Sequence, residues 1–172
     1  LDEPIVTERL TLRPLRADDV DDVHAYQRRD DVCEWLMYEP QTRQQVADKI
    51  ARWDERDRLE TEGDFVQLGV EVGGRVVGDL YFTLKSEANR TAEIGWVFHP
   101  DHRGRGYATE GARALLSLAF DRMSLHRVMA EYDPRNAASI ALCERLGMRA
   151  EAHFRGDLWF RGAWGDTGVH AI

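Results

Sequence analysis

Three glycines, two arginines and two histidines crowd into residues 99–112, HPDHRGRGYATEGA. An apolar, strand-like run precedes them and a helix-like run follows. A strand, a glycine-rich turn and a helix start make a geometry that holds anions. The first N–H groups of a helix lack partners, and the helix dipole favours negative charge there. Gly104 and Gly106 permit close backbone approach, and Arg103 and Arg105 add charge-assisted donors. Two phosphate motifs fail on this stretch. A P-loop needs Gly-Lys-Ser/Thr at its end, which is absent. The dinucleotide fingerprint needs a third glycine where Thr109 stands, and it follows the first strand of a parallel sheet, not a meander.

Other reactive side chains are sparse. Cys33 and Cys143 lie far apart and give neither a disulfide framework nor zinc spacing. The histidines at 24, 99, 102, 126, 153 and 170 include no helical His-x-x-x-His pair, so no metal site is expected. A formal charge of −8 argues against nucleic-acid binding, which needs a basic face, and would weakly steer a cationic amine. No apolar run reaches the length of a membrane span, and no leader with a basic front and an apolar centre is visible. The expectation is one cytoplasmic domain over residues 1–172.

The elements that must position this loop follow from periodicity. Residues 9–15 alternate as a half-buried strand ended by Pro14. A helix capped by Asp18 or Asp19 carries Val20 and Val23 on one face. Residues 33–41 read as an aromatic-rich loop or short helical turn. Residues 42–60 read as a helix with Thr42 as N-cap and Val46, Ile50 and Trp53 inward. Residues 64–84 form a hairpin about Gly73-Gly74, with Gly78 marking a bulge or a close approach. Strand 91–100 turns Ala92, Ile94, Trp96 and Phe98 one way and Glu93, Gly95 and Val97 the other. Then come a helix (108–123), a strand (126–134), a helix (136–148) closed by Gly147, and strands at 149–156 and 166–172. The order β-α-α-β-β-β-α-β-α-β-β implies an α+β (mixed α/β) fold. Its sheet is mostly antiparallel and contains one β-α-β crossover.

Arg103-x-x-Gly106-x-Ala108 resembles the pyrophosphate loop of the GNAT superfamily of acyl-CoA-dependent N-acetyltransferases. "RLTLRPLRADD", "VVGDLYF", "AEIGWVFHPDHRGRGYATEG" and "NAASIALCERLGM" occur in that family's order and span nearly the whole chain. The opening "RL-LRP" and the Asn-x-x-Ser before "LGM" look most like the RimJ/RimL branch, which includes ribosomal-protein N-terminal and small-amine acetyltransferases.

The resemblance implies a twisted sheet of about seven strands, splayed between the fourth and fifth, with about four helices. Acetyl-CoA would be the cosubstrate, with no metal. The backbone of Val97, Phe98 and His99 would contact its pantetheine arm, and residues Arg103, Gly104, Arg105, Gly106, Tyr107 and Ala108 would cradle its pyrophosphate. A backbone N–H near Val97 would hold the oxyanion. Glu93 would be the general base, because an ammonium must lose a proton before it attacks a thioester. Asn136 would cap its helix and touch the cofactor arm. Many relatives place a Tyr seven residues after this Asn; here that position is Cys143. Cys143 and Ser139 are therefore the candidate proton donors to the CoA sulfur. Trp35, Tyr38, Trp159 and Trp164 are the candidate lining of the acceptor pocket. The family allows a homodimer, although no residue fixes an interface. The alternative reading, kept alive by Cys143, is a non-catalytic acyl-CoA sensor or regulatory module.

Overall fold

A computed structural model describes residues 3–54 and 59–172. Eight strands form one sheet: β1 (Ile5–Val6), β2 (Thr11–Pro14), β3 (Phe65–Val72), β4 (Arg75–Ser86), β5 (Thr91–Phe98), β6 (Arg127–Tyr132), β7 (Arg149–Phe160) and β8 (Ala163–Ala171). Their spatial order is β1-β2-β3-β4-β5-β6-β8-β7. Every neighbouring pair is antiparallel except β5 and β6. The helices are α1 (Val20–Gln27), α2 (Asp30–Cys33), α3 (Arg43–Asp54), α4 (Tyr107–Ser117) and α5 (Ala137–Arg145).

The sheet separates two cores. On one face Leu12, Leu80, Phe82 and Ile94 meet Ala112, Leu115 and Leu116 of α4 and Leu142 and Cys143 of α5. On the other, Leu15 and Val76 meet Val20, Val23 and Tyr26 of α1 and Val46 and Ile50 of α3. Period-two alternation therefore sends Ile94 and Phe98 to the α4 face and Val97 to the α1/α3 face.

Several expectations shift at their edges. An eighth strand appears because the short β1 pairs Ile5 with Leu12, too brief a run to show a period. The helix expected over 42–60 runs Arg43–Asp54; residues 55–58 lie outside the described residues, and 59–60 are not helical. Thr42 does cap it: the Gln45 N–H donates to Thr42 Oγ1 at 3.2 Å, and the Thr42 N–H donates to the Gln45 side chain at 2.8 Å. The helix after the glycine loop widens to a π-turn at Leu118–Arg122. The last two strands are longer than expected and meet at a tight turn where Arg161 (φ 52°) and Gly162 (φ 74°) are both left-handed.

Gly78 proves to be both bulge and close approach. Val70 pairs with Gly78 and Glu71 with Val76, which leaves Val77 as the extra residue. A Cβ on Gly78 would lie 2.6 Å from the Val97 carbonyl oxygen.

Candidate active site

The parallel ladder between β5 and β6 is short. It pairs Thr91 with Arg127, Ala92 with Val128 and Glu93 with Met129, and then stops. Strand β5 continues against β4 to Phe98, while β6 continues against β8 to Tyr132. The two strands part at Glu93, and the splay expected there is present. Backbone groups of successive strand residues face alternate neighbours. On β5 the odd side faces β4: the following residue, His99, donates its N–H to Val77 at 2.9 Å. The even side faces β6: His126 donates to the Arg90 carbonyl at 2.8 Å. Val97 therefore turns its own N–H toward β4. This corrects the expectation for that residue: Trp96 and Phe98 present the backbone donors that face the opening.

Glu93 stands at the apex on the α1/α3 face. Its carboxylate is 18% exposed and 2.9 Å from Lys85 Nζ. Lys85 is the extra residue of a bulge, since Leu84 pairs with Ala92 and Ser86 with Thr91. The hydrogen bond to Glu93 raises the Lys85 ammonium above its ordinary value. Glu131, two residues beyond the last β5 partner, adds a second carboxyl. Desolvation, then the charge of Glu93, raises it.

Ser139 approaches from the opposite face. Asn136 is the N-cap of α5, its Oδ1 accepting the Ser139 N–H at 3.1 Å. Ser139 is buried, and its Oγ accepts the Trp96 indole N–H at 3.1 Å. Trp96 thus ties the start of α5 to the splayed part of β5. The Ser139 hydroxyl proton remains available to donate. Cys143, one turn further along, is fully buried within the core cluster, and burial pushes its thiol up to about 11. The expectation of Cys143 as a proton donor gives way to a packing role.

The glycine loop meets the requirement for an anion. Gly104 (φ 74°) and Gly106 (φ 81°) are left-handed, and Gly106 precedes α4. None of the N–H groups from Gly104 to Thr109 has a partner among the described residues; the next one, of Glu110, closes onto the Gly106 carbonyl at 3.0 Å. Arg103 is exposed and its side chain makes no hydrogen bond among the described residues, while Arg105 donates to the Asp101 carbonyl at 3.3 Å. His99 serves the turn itself, its Nδ1 accepting the Asp101 N–H at 3.2 Å. Ala108 and Tyr107 pack partly on the core, and the Tyr107 ring also faces the Arg9 guanidinium. Gly104 is exposed, so its backbone is open to an approaching group. The fit to a pyrophosphate is good on these grounds.

The aromatic segments are brought together by Arg161. From the β7–β8 turn it donates to the Cys33 carbonyl at 3.2 Å and the Tyr38 carbonyl at 3.1 Å, and pairs with Glu39 at 2.9 Å. Tyr38 lies under Lys49, whose Nζ is 4.2 Å from the ring centroid. Trp35 lies under Arg135, just before α5, at 5.1 Å. Trp159 and Trp164 pack edge to face at 5.2 Å but are 58% and 65% exposed. At that exposure they do not line an enclosed pocket.

Sequence reasoning missed Asp79. It is 2% exposed, pairs in register with Val97, and accepts the Tyr26 hydroxyl at 2.5 Å and the Gln67 amide. Burial raises its carboxyl. A lone acid in "VVGDLYF" was the available signal, because an unpaired charge inside an apolar run needs buried partners. Lys85 and Glu131 carried no such signal.

A β-α-β crossover whose strands part and a glycine loop of free donors at a helix start are the features that the GNAT resemblance implies. The chain belongs to the acetyltransferase (GNAT) domain family, whose model matches residues 9–149. It is similar to the uncharacterized N-acetyltransferase YnaD of Bacillus subtilis, 37% identical over 97 residues; this match covers 56% of either chain, a little over half of YnaD. The uncharacterized N-acetyltransferase p20 of Bacillus licheniformis is 29% identical over 153 residues, 89% of this chain and 86% of that one. Among solved structures, an acetyltransferase (GNAT family) from Bacillus anthracis superposes with a TM-score of 0.86 at 30% identity, covering 99% of this chain and 98% of that one.

Proposed function

We propose that this chain acetylates a primary amine by direct transfer, with Glu93 as general base and Ser139 as proton donor to the leaving sulfur. The observation that carries the reading is the parting of β5 from β6 at Glu93. It puts a carboxylate, free backbone donors and the start of α5 around one gap. The acetyl-CoA arm lies in that gap with its pyrophosphate on residues 103–108. The amine approaches from the α1/α3 face, where Glu93 takes its proton. The nitrogen attacks the thioester carbonyl, and the oxyanion is held by the N–H of Trp96 or Phe98. The C–S bond breaks, the thiolate takes the Ser139 hydroxyl proton, and the second proton of the nitrogen passes through solvent to restore that hydroxyl. A thiolate is a good leaving group and needs little acid help, since thiol pKa values lie near about 8.5.

The acceptor is a cation before it reacts. Among the described residues Glu93 and Glu131 outnumber the one cation beside them, Lys85, so the approach face suits an ammonium better than an anion. A polyamine, an amino-acid-like metabolite, an aminoglycoside and a protein N-terminus all present one. The reading takes residues 1–172 as one catalytic domain working in the cytoplasm, alone or as a homodimer. The test is acetyl-CoA hydrolysis and CoA release measured with a panel of amines and N-terminal peptides. Stimulation by at least one acceptor is expected. Tight acetyl-CoA binding with no stimulation by any acceptor would overturn catalysis in favour of a binding module.

A further inference from the structure

The N-terminal segment reaches across about a hundred residues of sequence to grip the phosphate loop. The Arg9 N–H donates to Glu110 Oε1 at 2.9 Å, and Arg9 Nε donates to Oε2 at 2.7 Å. Arg9 Nη2 lies 2.6 Å from Oε2, and Nη1 donates to the Arg105 carbonyl at 2.8 Å. The guanidinium carbon is 5.1 Å from the Tyr107 ring centroid. Thr7 completes the grip by donating its hydroxyl to Glu110 Oε1 at 2.6 Å. A Cβ on Gly106 would come within 3.2 Å of Arg9 Nη2, so the loop glycine also makes room for the arginine.

Two consequences follow from elementary geometry and charge. The Arg105 carbonyl and the Gly106 N–H belong to one planar trans peptide and point in opposite directions. Holding the carbonyl toward Arg9 aims the Gly106 N–H at the other side, among the unpartnered donors of the loop. Glu110 sits in the first turn of α4, where its negative charge would repel a phosphate placed at the same helix start. Arg9 and Thr7 occupy both of its oxygens. We infer that Arg9 is a positioning residue for cosubstrate binding, aiming the Gly106 N–H and cancelling the charge of Glu110. The inference rests on the reading of residues 103–108 as a pyrophosphate cradle.

The test compares ligands with and without the pyrophosphate. CoA binding is measured by calorimetry, and turnover with S-acetylpantetheine, which lacks the phosphates, is measured beside it. Arg9→Ala should weaken CoA binding by about 10-fold or more, the loss of charge-assisted hydrogen bonds. Its efficiency with S-acetylpantetheine should stay within about twofold of wild type. Adding Glu110→Gln to Arg9→Ala should recover part of the CoA affinity. Arg9→Lys, which keeps the charge but not the fork, should fall between; it also serves if the alanine variant does not fold. Unchanged CoA binding in Arg9→Ala, or equal losses with both acyl donors, would overturn the inference. A wild-type protein that fails to bind CoA would overturn the cradle reading beneath it.

Discussion

At the scale of single residues, Ser139 and Cys143 show how one helical turn separates a chemical role from a packing role. Ser139 is the third residue of α5 and touches the splay through Trp96; Cys143 lies one turn deeper in the core. Ser139→Ala is expected to lower kcat by about 10-fold, at the weak end of general-acid effects, because the thiolate leaves readily. Cys143→Ala is expected to leave kcat within about twofold and to cost stability of about 1 kcal/mol through the small cavity. Steady-state kinetics and thermal melts on the two variants check both. The raised thiol gives a separate test. Cys143 is pushed up to about 11, Cys33 is also raised by burial, and both are buried. Both should resist alkylation in the folded protein and react at once in denaturant. Rapid labelling of Cys143 in the native state would place it at an open surface and return it to the list of donors.

At the scale of elements, the site depends on how β2, β4 and β5 are held. Arg13 on β2 forks onto Asp19 at 2.7 and 2.8 Å and reaches Glu71 at 2.7 Å, anchoring the start of α1 to the sheet. Burial alone would raise the Asp19 carboxyl, but Arg13 and the Arg16 N–H hold it below its ordinary value. A depressed folded value contributes stability that is full above the unfolded value of about 3.9 and is lost as pH falls through the folded one. Asp19→Asn should therefore lower stability at pH 7 by about 3 kcal/mol, as expected when one partner of a buried pair is removed. It should also flatten the loss of stability below about pH 4. Denaturant melts across pH test this. Gly78→Ala should be as damaging, since its Cβ would strike backbone at 2.6 Å where β4 and β5 meet. The order of elements and the glycine loop could be read from periodicity and turn residues, because both are local properties. Gly78 could be read as special for the same reason. The Arg13–Asp19 fork, the Lys85–Glu93 pair and the Trp96–Ser139 bond could not. Each joins residues whose proximity is created by sheet register and bulges, and a one-residue slip would undo it. Which N–H near Val97 faces the opening was not legible on the same ground, because it depends on which neighbour takes the odd side of β5.

At the scale of the whole molecule, the two halves are tied together by one arginine. Arg161 on the β7–β8 turn holds the 33–39 segment by three contacts, so the last hairpin and the first helices form one rim. Arg161→Ala should raise the acceptor KM several-fold and the KM for acetyl-CoA much less, since Arg161 touches the 33–39 segment and not residues 103–108. Equal rises in both would mean that the contact only supports folding. The net charge of −8 adds a long-range pull on cationic acceptors. Their kcat/KM should fall as salt screens it, and that of neutral acceptors should not. Everything converges on the gap where β5 leaves β6, and on Glu93 at its apex. The most direct measurement is kcat for Glu93→Gln across pH, with CoA affinity followed in parallel. The account predicts a loss of about 100-fold or more with CoA binding intact. A variant that kept wild-type turnover at every pH would contradict it.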